Sequence, residues 1–229
     1  MPASRPEISD VSKARGPRYR QEARQRLLSA ARIVFQEVGP EAPLDSIARQ
    51  AGVGIATLYR RFPSREDLIR EVCLDVMREV TRTVETALRD EPDAYTALVR
   101  VLHHCVATHS AGLLPVAAGR FRSTAEIRTT VDAYLAALTV LLEHARREGT
   151  LKADVNHVDV LLLLTLISRP LPGLDAPLTR RLAHRFASLL GPSLAQPSGE
   201  LPGPVLEQGA LDALWNGAGV MSGRADDDA

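Results

Sequence analysis

Two short amphipathic segments that meet at a glycine constrain this 229-residue chain more than any other feature. Leu44, Ile47, Ala48 and Ala51 repeat at helical spacing over only two turns before Gly52, and a second short helix is expected from Ile55 to Phe62. Helices of that length depend on packing against neighbours. A tight crossing of the two needs a small residue where they touch, a glycine where the backbone reaches φ > 0, and apolar wedges between them. Ala48, Gly52 and the trio Ile47, Val53 and Leu58 meet those needs. The unit therefore reads as a helix-turn-helix. Its second helix presents Ala56, Thr57, Tyr59, Arg60 and Arg61, small and hydrogen-bonding groups with two cations, a surface suited to a DNA major groove.

The flanking sequence supplies what such a unit must pack on. Leu27, Ala31, Val34, Phe35 and Val38 form one face of a helix from Tyr19, closed by Gly39-Pro40. Downstream, Phe62-Pro63 breaks the chain, and Ser64 with Asp67 three residues on starts a long helix from Arg65 to about Arg89. Further helices are expected over Asp93 to Ser110, from a Ser123 or Thr124 cap to about Glu148, from an Asp154 cap over Val155 to Ser168, and over Pro177 to Leu190, where Gly191-Pro192 ends the pattern. No strand pattern and no internal repeat are present. The fold class is all-α, with an N-terminal three-helix bundle carrying the helix-turn-helix over residues 19–63 and a larger six-helix bundle over 64–191. Residues 1–18 read as a flexible basic arm. Residues 192–229, rich in proline and glycine, read as a mostly disordered tail in which Val205 to Trp215 could form a short docking helix.

Charge separates the two ends of the chain. The formal net charge is zero, yet residues 1–62 hold 11 Lys and Arg against 6 Asp and Glu, and the rest holds 17 against 22. In Val11 to Arg32, seven cations (Lys13, Arg15, Arg18, Arg20, Arg24, Arg26 and Arg32) face only Glu22. Such a stretch fits either a solvated helix or a polyanion-binding end, and the arm's arginines would add sequence-independent phosphate contact. The longest apolar run, Val158 to Ser168, already contains Asp159 and is too short to span a bilayer. With no leader-like apolar stretch ahead of Tyr19 and only two cysteines, Cys73 and Cys105, the expected compartment is a reducing cytoplasm.

The run IARQAGVGIATLYRRFPSREDL, Ile47 to Leu68, closely resembles the DNA-binding signature of the tetracycline-repressor (TetR) family of bacterial transcription regulators. The resemblance implies that Gly54, Ile55, Ala56 and Thr57 stand at the groove-facing start of the recognition helix. It further implies that Tyr59 contacts phosphate, that Arg61 reaches backbone or base, and that Arg65 meets phosphate from the start of the next helix; Arg60 is the second candidate cation. Two departures stand out. Ala42-Pro43 replaces the usual Ser or Thr cap, so the first short helix should start with proline at its first position, and Gly54 replaces a frequent serine. Spacing with Leu58, Tyr59 and Phe62 would turn Ile55 inward, whereas the resemblance puts it against the DNA. The Tyr59 ring is expected to pack while its hydroxyl reaches phosphate.

The same resemblance implies a small-molecule effector pocket in the larger bundle, with Leu102, Cys105, His109, Tyr134 and Leu138 as its wall. The competing reading of those five is ordinary core. Cys105 and His109 at i, i+4 have the spacing of a metal pair, but no third ligand is fixed, so neither metal nor cofactor is expected. No phosphate loop, nucleophile elbow or zinc-hydrolase histidine pair is present, and an enzyme is not expected. Dimerisation follows from composition. Leu161 to Leu164 with Leu166 and Ile167 are apolar on too many sides for one neighbour, and Leu182, Phe186 and Leu189 line one face of the last helix. Paired about a two-fold axis, with Leu163, Leu166, Ile167, Leu182, Phe186 and Leu189 at the interface, these helices would form a four-helix bundle and set two recognition helices on one side of DNA. The expectation is a homodimeric, ligand-released repressor on a near-palindromic double-stranded operator in the bacterial nucleoid, the alternative being a nucleoid-type structural DNA binder without effector.

Overall fold

The computed structural model describes residues 17–110, 113, 124–171, 173–195, 201, 203–207 and 209. Among them are eight helices and no strand: α1 Pro17–Val38, α2 Leu44–Gln50, α3 Ile55–Arg61, α4 Arg65–Asp90, α5 Ala94–Ala107, α6 Ala125–Arg147, α7 His157–Ile167 and α8 Ala176–Ala195. Five of these lie in the larger bundle, and the stretch that could hold a sixth, 111–112 and 114–123, falls outside the described residues, as does most of the arm. Helix α1 starts at Pro17, two residues ahead of expectation, and takes in Arg18 and Arg20.

Caps set most boundaries. Ser64 accepts the Asp67 amide at 3.0 Å, Asp93 that of Thr96 at 2.7 Å and Thr124 that of Ile127 at 3.3 Å. Pro43 is the N-cap of α2 with extended ψ, not its first helical residue, so α2 begins without a side-chain cap. Helix α7 also departs from expectation. Its cap is Asn156, in a capping box with Asp159, while Asp154 accepts the Leu201 amide.

Helix α8 runs past Gly191-Pro192 to Ala195. Tertiary contact carries it there, since Gly191 lies within 3.3 Å of the Tyr95 hydroxyl once given a Cβ, Leu194 is buried, and the Leu194 carbonyl accepts the Lys152 amide at 3.1 Å. The tail is not wholly separate either. Leu201 bonds Asp154, and the Leu206 carbonyl accepts from Asn156; Val205 to Glu207 are not helical, and 210–215 lie outside the described residues.

Helix α4 is the axis of the molecule. Leu68, Val72, Val76, Val80 and Val84 are all buried as their spacing requires, and Ile69, Cys73 and Met77 bury a second face. At about 39 Å long, it can touch α1 near one end and α5 and α6 along the rest. One core therefore runs from Leu27 and Phe35 to Val158 and Leu164. Val38 is an exception to the apolar face of α1, lying 67% exposed in the last turn before Gly39 reverses the chain at φ 100°.

Candidate nucleic-acid interface

Helix α3 is held by its inner face alone. Leu58 and Phe62, one turn apart, are buried, and Leu58 packs into the core with Ile47 and Ala48 of α2. The turn between the helices passes through Gly52 at φ 63°, where a side chain would strain the backbone by about 1–2 kcal/mol. The amides of Gly52 and Val53 close the end of α2 on the carbonyls of Arg49 and Ala48 at 3.1 and 3.0 Å.

The outer face of α3 then follows from its geometry. Gly54, Ile55, Ala56, Tyr59 and Arg60 are exposed, with Thr57 and Arg61 half-buried at the flanks. Ile55 is 37% exposed in the first turn of α3, so it is not buried as the inward reading suggested by spacing would require. Tyr59 is 50% exposed, so its ring packs less than expected and stands largely clear of the core. Among the described residues neither Arg60 nor Arg61 makes an ion pair, and both sit in the last turn of α3, where cations are favoured by the helix dipole. Gly54 caps α3 with extended backbone and no side-chain bond.

Arg65 has a structural duty the sequence did not show. Its Nη1 donates to the carbonyl oxygens of Pro40 at 2.8 Å and Ala42 at 2.6 Å, tying the start of α4 to the α1–α2 turn. Any phosphate contact would use the remaining donors of its five-donor fork.

The positive stretch of α1 is also smaller than it reads. Arg24 pairs with Glu71, and Arg32, with a side chain only 5% exposed, bonds both Asp75 at 2.5 Å and Glu79 at 2.6 Å. These two cations belong to the joint between α1 and α4 and not to a surface that could meet DNA. The chain of contacts continues, as His104 of α5 bonds the second oxygen of Glu79 at 3.0 Å. That bond foremost, with Arg32 behind it, holds the Glu79 carboxyl down at about 2 against the upward pull of burial. Sequence reasoning missed this spine. Its one signal was a cation, Arg32, set among Leu28, Ala31 and Phe35 on an apolar face.

The expected effector wall is mostly core. Leu102, Cys105, Tyr134 and Leu138 are buried in the continuous hydrophobic cluster, and burial pushes the Cys73 and Cys105 thiols up to about 12. The metal-pair spacing of Cys105 and His109 is not realised on a helix. Helix α5 ends at Ala107, and the amides of Ser110 and His109 fold back to the carbonyls of Cys105 and Val106 at 2.9 and 3.4 Å, a Schellman end with His109 in the position usually given to glycine, φ 57°. Of the five, His109 lines a cavity among the described residues. Among the described residues no group of three or more His, Cys, Asp or Glu could hold a metal.

Burial, with Arg180 and Arg32 adding to it, brings His109 from its ordinary 6.5 down to about 4. Because the unfolded chain takes up that proton first, His109 contributes stability that is present above pH 6.5 and lost as the pH falls toward 4, worth up to about 3 kcal/mol. Replacing His109 by asparagine, which tolerates the left-handed backbone but does not titrate, should flatten urea midpoints across that window. The slope should shrink and not vanish, since burial and the neighbouring His103 hold His184 down as well. An undiminished slope would show that His109 is not its source.

At the potential dimer face, Leu166 is 68%, Leu189 55% and Phe186 40% exposed, whereas Leu163, Ile167 and Leu182 are half-buried, the first two against the core. The α7 surface is thus divided between its own core and an apolar strip left open beside α8.

Comparison with known proteins agrees with this geometry. Residues 27–72 match the family described as bacterial regulatory proteins, tetR family, and residues 93–191 match the transcriptional regulator SbtR-like C-terminal domain. None of the curated proteins compared with the chain matches it. Among solved structures, a TetR transcriptional regulator from Streptomyces coelicolor is 30% identical, with 77% of this chain and 99% of that one covered at a TM-score of 0.54. A TetR transcription regulatory protein from Mycobacterium vanbaalenii is 28% identical over 77% and 96%, with a TM-score of 0.53. The fold is shared with LfrR from Mycobacterium smegmatis, solved in complex with proflavine, at 21% identity over 80% and 99%, with a TM-score of 0.53.

Proposed function

The chain belongs to the tetR family of bacterial transcriptional regulators, and from that premise we propose that it acts as a homodimeric repressor released from a near-palindromic operator by a small-molecule effector in the bacterial cytoplasm. The observation that carries the reading is the outer face of α3, which offers Ile55, Ala56, Thr57, Tyr59, Arg60 and Arg61 to solvent while Leu58 and Phe62 alone hold the helix in place. Apolar Ile55 suits a thymine methyl, the arginines suit guanine or phosphate, and the Tyr59 hydroxyl suits phosphate. The apolar strip of Leu166, Phe186 and Leu189 supplies the self-complementary surface a two-fold dimer requires. A fold relative that holds proflavine supports an effector, as does the rigid link from α1 through α4 to α5. Among the described residues no helix is long and apolar enough to cross a membrane.

Positioning and readout should separate in fluorescence anisotropy on folded protein. Tyr59→Phe should weaken all DNA sites alike by about 1 kcal/mol, whereas Arg60→Ala or Arg61→Ala should alter base preference by about 1–3 kcal/mol at one position of each half-site. A double alanine variant that binds as tightly as the parent would show that α3 does not read the DNA. A structural nucleoid binder would share this face, but no compound would change its affinity.

A further inference from the structure

Helix α8 rests on α5 with little apolar surface. Ala183, Ala187 and Leu194 are its buried apolar residues and Gly191 is buried beside Tyr95, while Phe186 and Leu189 are exposed. An imidazole pair joins the two helices. His103 Nδ1 of α5 lies 3.2 Å from His184 Nδ1 of α8, with ring planes 14° apart and ring centres 5.5 Å apart. Ser188, one turn after His184, lies 3.3 Å from His103 Nε2 and donates to the His184 carbonyl at 3.0 Å. That uses its one hydrogen, so His103 Nε2 donates to Ser188 and His103 Nδ1, in the neutral ring, accepts from His184 Nδ1. In any tautomer the contact holds one hydrogen between two nitrogens. One added proton fits on His184 Nε2, giving a single imidazolium that still donates. A second puts an N–H on both Nδ1 atoms, so that two like charges face each other donor to donor and the contact must open.

No anion is placed to offset that second charge. Among the described residues neither ring has a carboxylate partner, since His104 takes Glu79 of α4, Arg100 takes Glu91, and Glu148 of α6 is bonded to the Ala94 amide. Helix α7 brings His157 and Asp159 in its first turn, the latter held in the capping box. On α8, Asp175 bonds the Leu178 amide, Arg181 and Arg185 are exposed, and Arg180 acts on His184 directly. Arg180 shares a cavity lining with Glu37 and His109, and Tyr95 keeps its phenol proton, pushed up by burial.

We infer that the His103–His184 pair is an acid-opened latch, which holds α8 on α5 near neutral pH and on acidification releases α8, and with it Phe186 and Leu189, from the arrangement that pairs two copies of the chain. The consequence for pairing rests on the dimeric reading above; the latch itself does not. Burial foremost, then His103 and Arg180, holds His184 below its ordinary 6.5. The freed helix therefore takes up a proton that the docked one refuses. Its contribution to docking is present above pH 6.5 and lost as the pH falls toward the docked value, up to about tenfold for each pH unit in that window.

Amide hydrogen exchange of the full chain at about pH 7.5 and about pH 5, corrected for the intrinsic effect of pH, tests the latch. The His109→Asn background keeps His109 from titrating in the same window. From the higher pH to the lower, α8 should lose protection at least about tenfold more than α4 does. His184→Asn puts an amide in the place of Nδ1 that can donate to the neutral His103 ring or accept from the charged one, and α8 should then lose less than about threefold. Equal loss in both chains, or no loss particular to α8, overturns the latch. Should His184→Asn leave α8 unprotected at pH 7.5, ring resonances decide: in His103→Asn, His184 should titrate at higher pH than in the parent, and an unchanged midpoint overturns the pairing. Light scattering reads the consequence. The dimer dissociation constant should rise at least about tenfold between the same two pH values in the parent and less than about threefold in His184→Asn. Loosening of α8 without that rise overturns the regulatory consequence. A parent chain that is monomeric at both pH values overturns the dimeric reading, and the exchange result still decides the latch.

Discussion

Arg32→Met should lower the stability of the folded chain by up to about 3 kcal/mol, because it leaves two half-buried carboxylates one helical turn apart with their common partner gone. Asp75 and Glu79 each bond Arg32 within 2.6 Å, and the methionine that replaces it restores volume but no charge. Glu79 should then be held less far down, with only His104 beside it. Chemical denaturation at pH 7 reads the loss directly, and a variant within about 1 kcal/mol of the parent would show that the cluster is only weakly stabilising. The reverse change, Glu79→Gln, should cost less, since Asp75 still answers Arg32 and the amide can still accept from His104. The asymmetry follows from desolvation. Removing one shared cation strands two anions, and neutralising one anion strands none.

Phe186→Asp combined with Leu166→Asp should convert the proposed dimer to a monomer and lower affinity for a two-half-site operator by about 10³, since two like charges that cannot pair with each other would lie in an apolar interface at a cost of several kcal/mol. Both side chains are exposed in the single chain, so the substitutions should leave its own fold intact. Leu163→Arg is the poorer probe because Leu163 already packs against the core. Light scattering at micromolar concentration and operator binding by the same samples decide the matter. Dimers surviving the double change would place the interface elsewhere.

Legibility from sequence followed the physics of each feature. Periodicity located the described helices that carry a stripe only burial satisfies, α7 was located instead by its unbroken apolar run, and the α2–α3 turn was legible to the residue because left-handed backbone at Gly52 admits few alternatives. Boundaries set by tertiary contact were not legible. Helix α8 passes Pro192 because Gly191 and Leu194 dock on neighbours, and nothing local in Gly191-Pro192 announces that. The Asn156 cap is legible in its capping-box spacing with Asp159, although Asp154 two residues earlier offers a competing cap. Charge counting overstated the DNA face. A count treats Arg24 and Arg32 like Arg60, whereas their partners Glu71, Asp75 and Glu79 lie some 40 or more residues away in sequence. The hydrogen bond from the Gln36 side-chain amide to the Ser168 carbonyl joins residues 132 positions apart, beyond the reach of any periodicity.

Repeated selection of DNA from a random-sequence library with the full chain tests the central claim most directly. The expected product is an inverted repeat with half-site centres one helical turn, about 34–36 Å, apart or somewhat more, enriched by the parent and lost in the folded Arg60→Ala, Arg61→Ala double variant. Recovery of no common sequence, or of the same repeat by the double variant, would contradict sequence reading by α3.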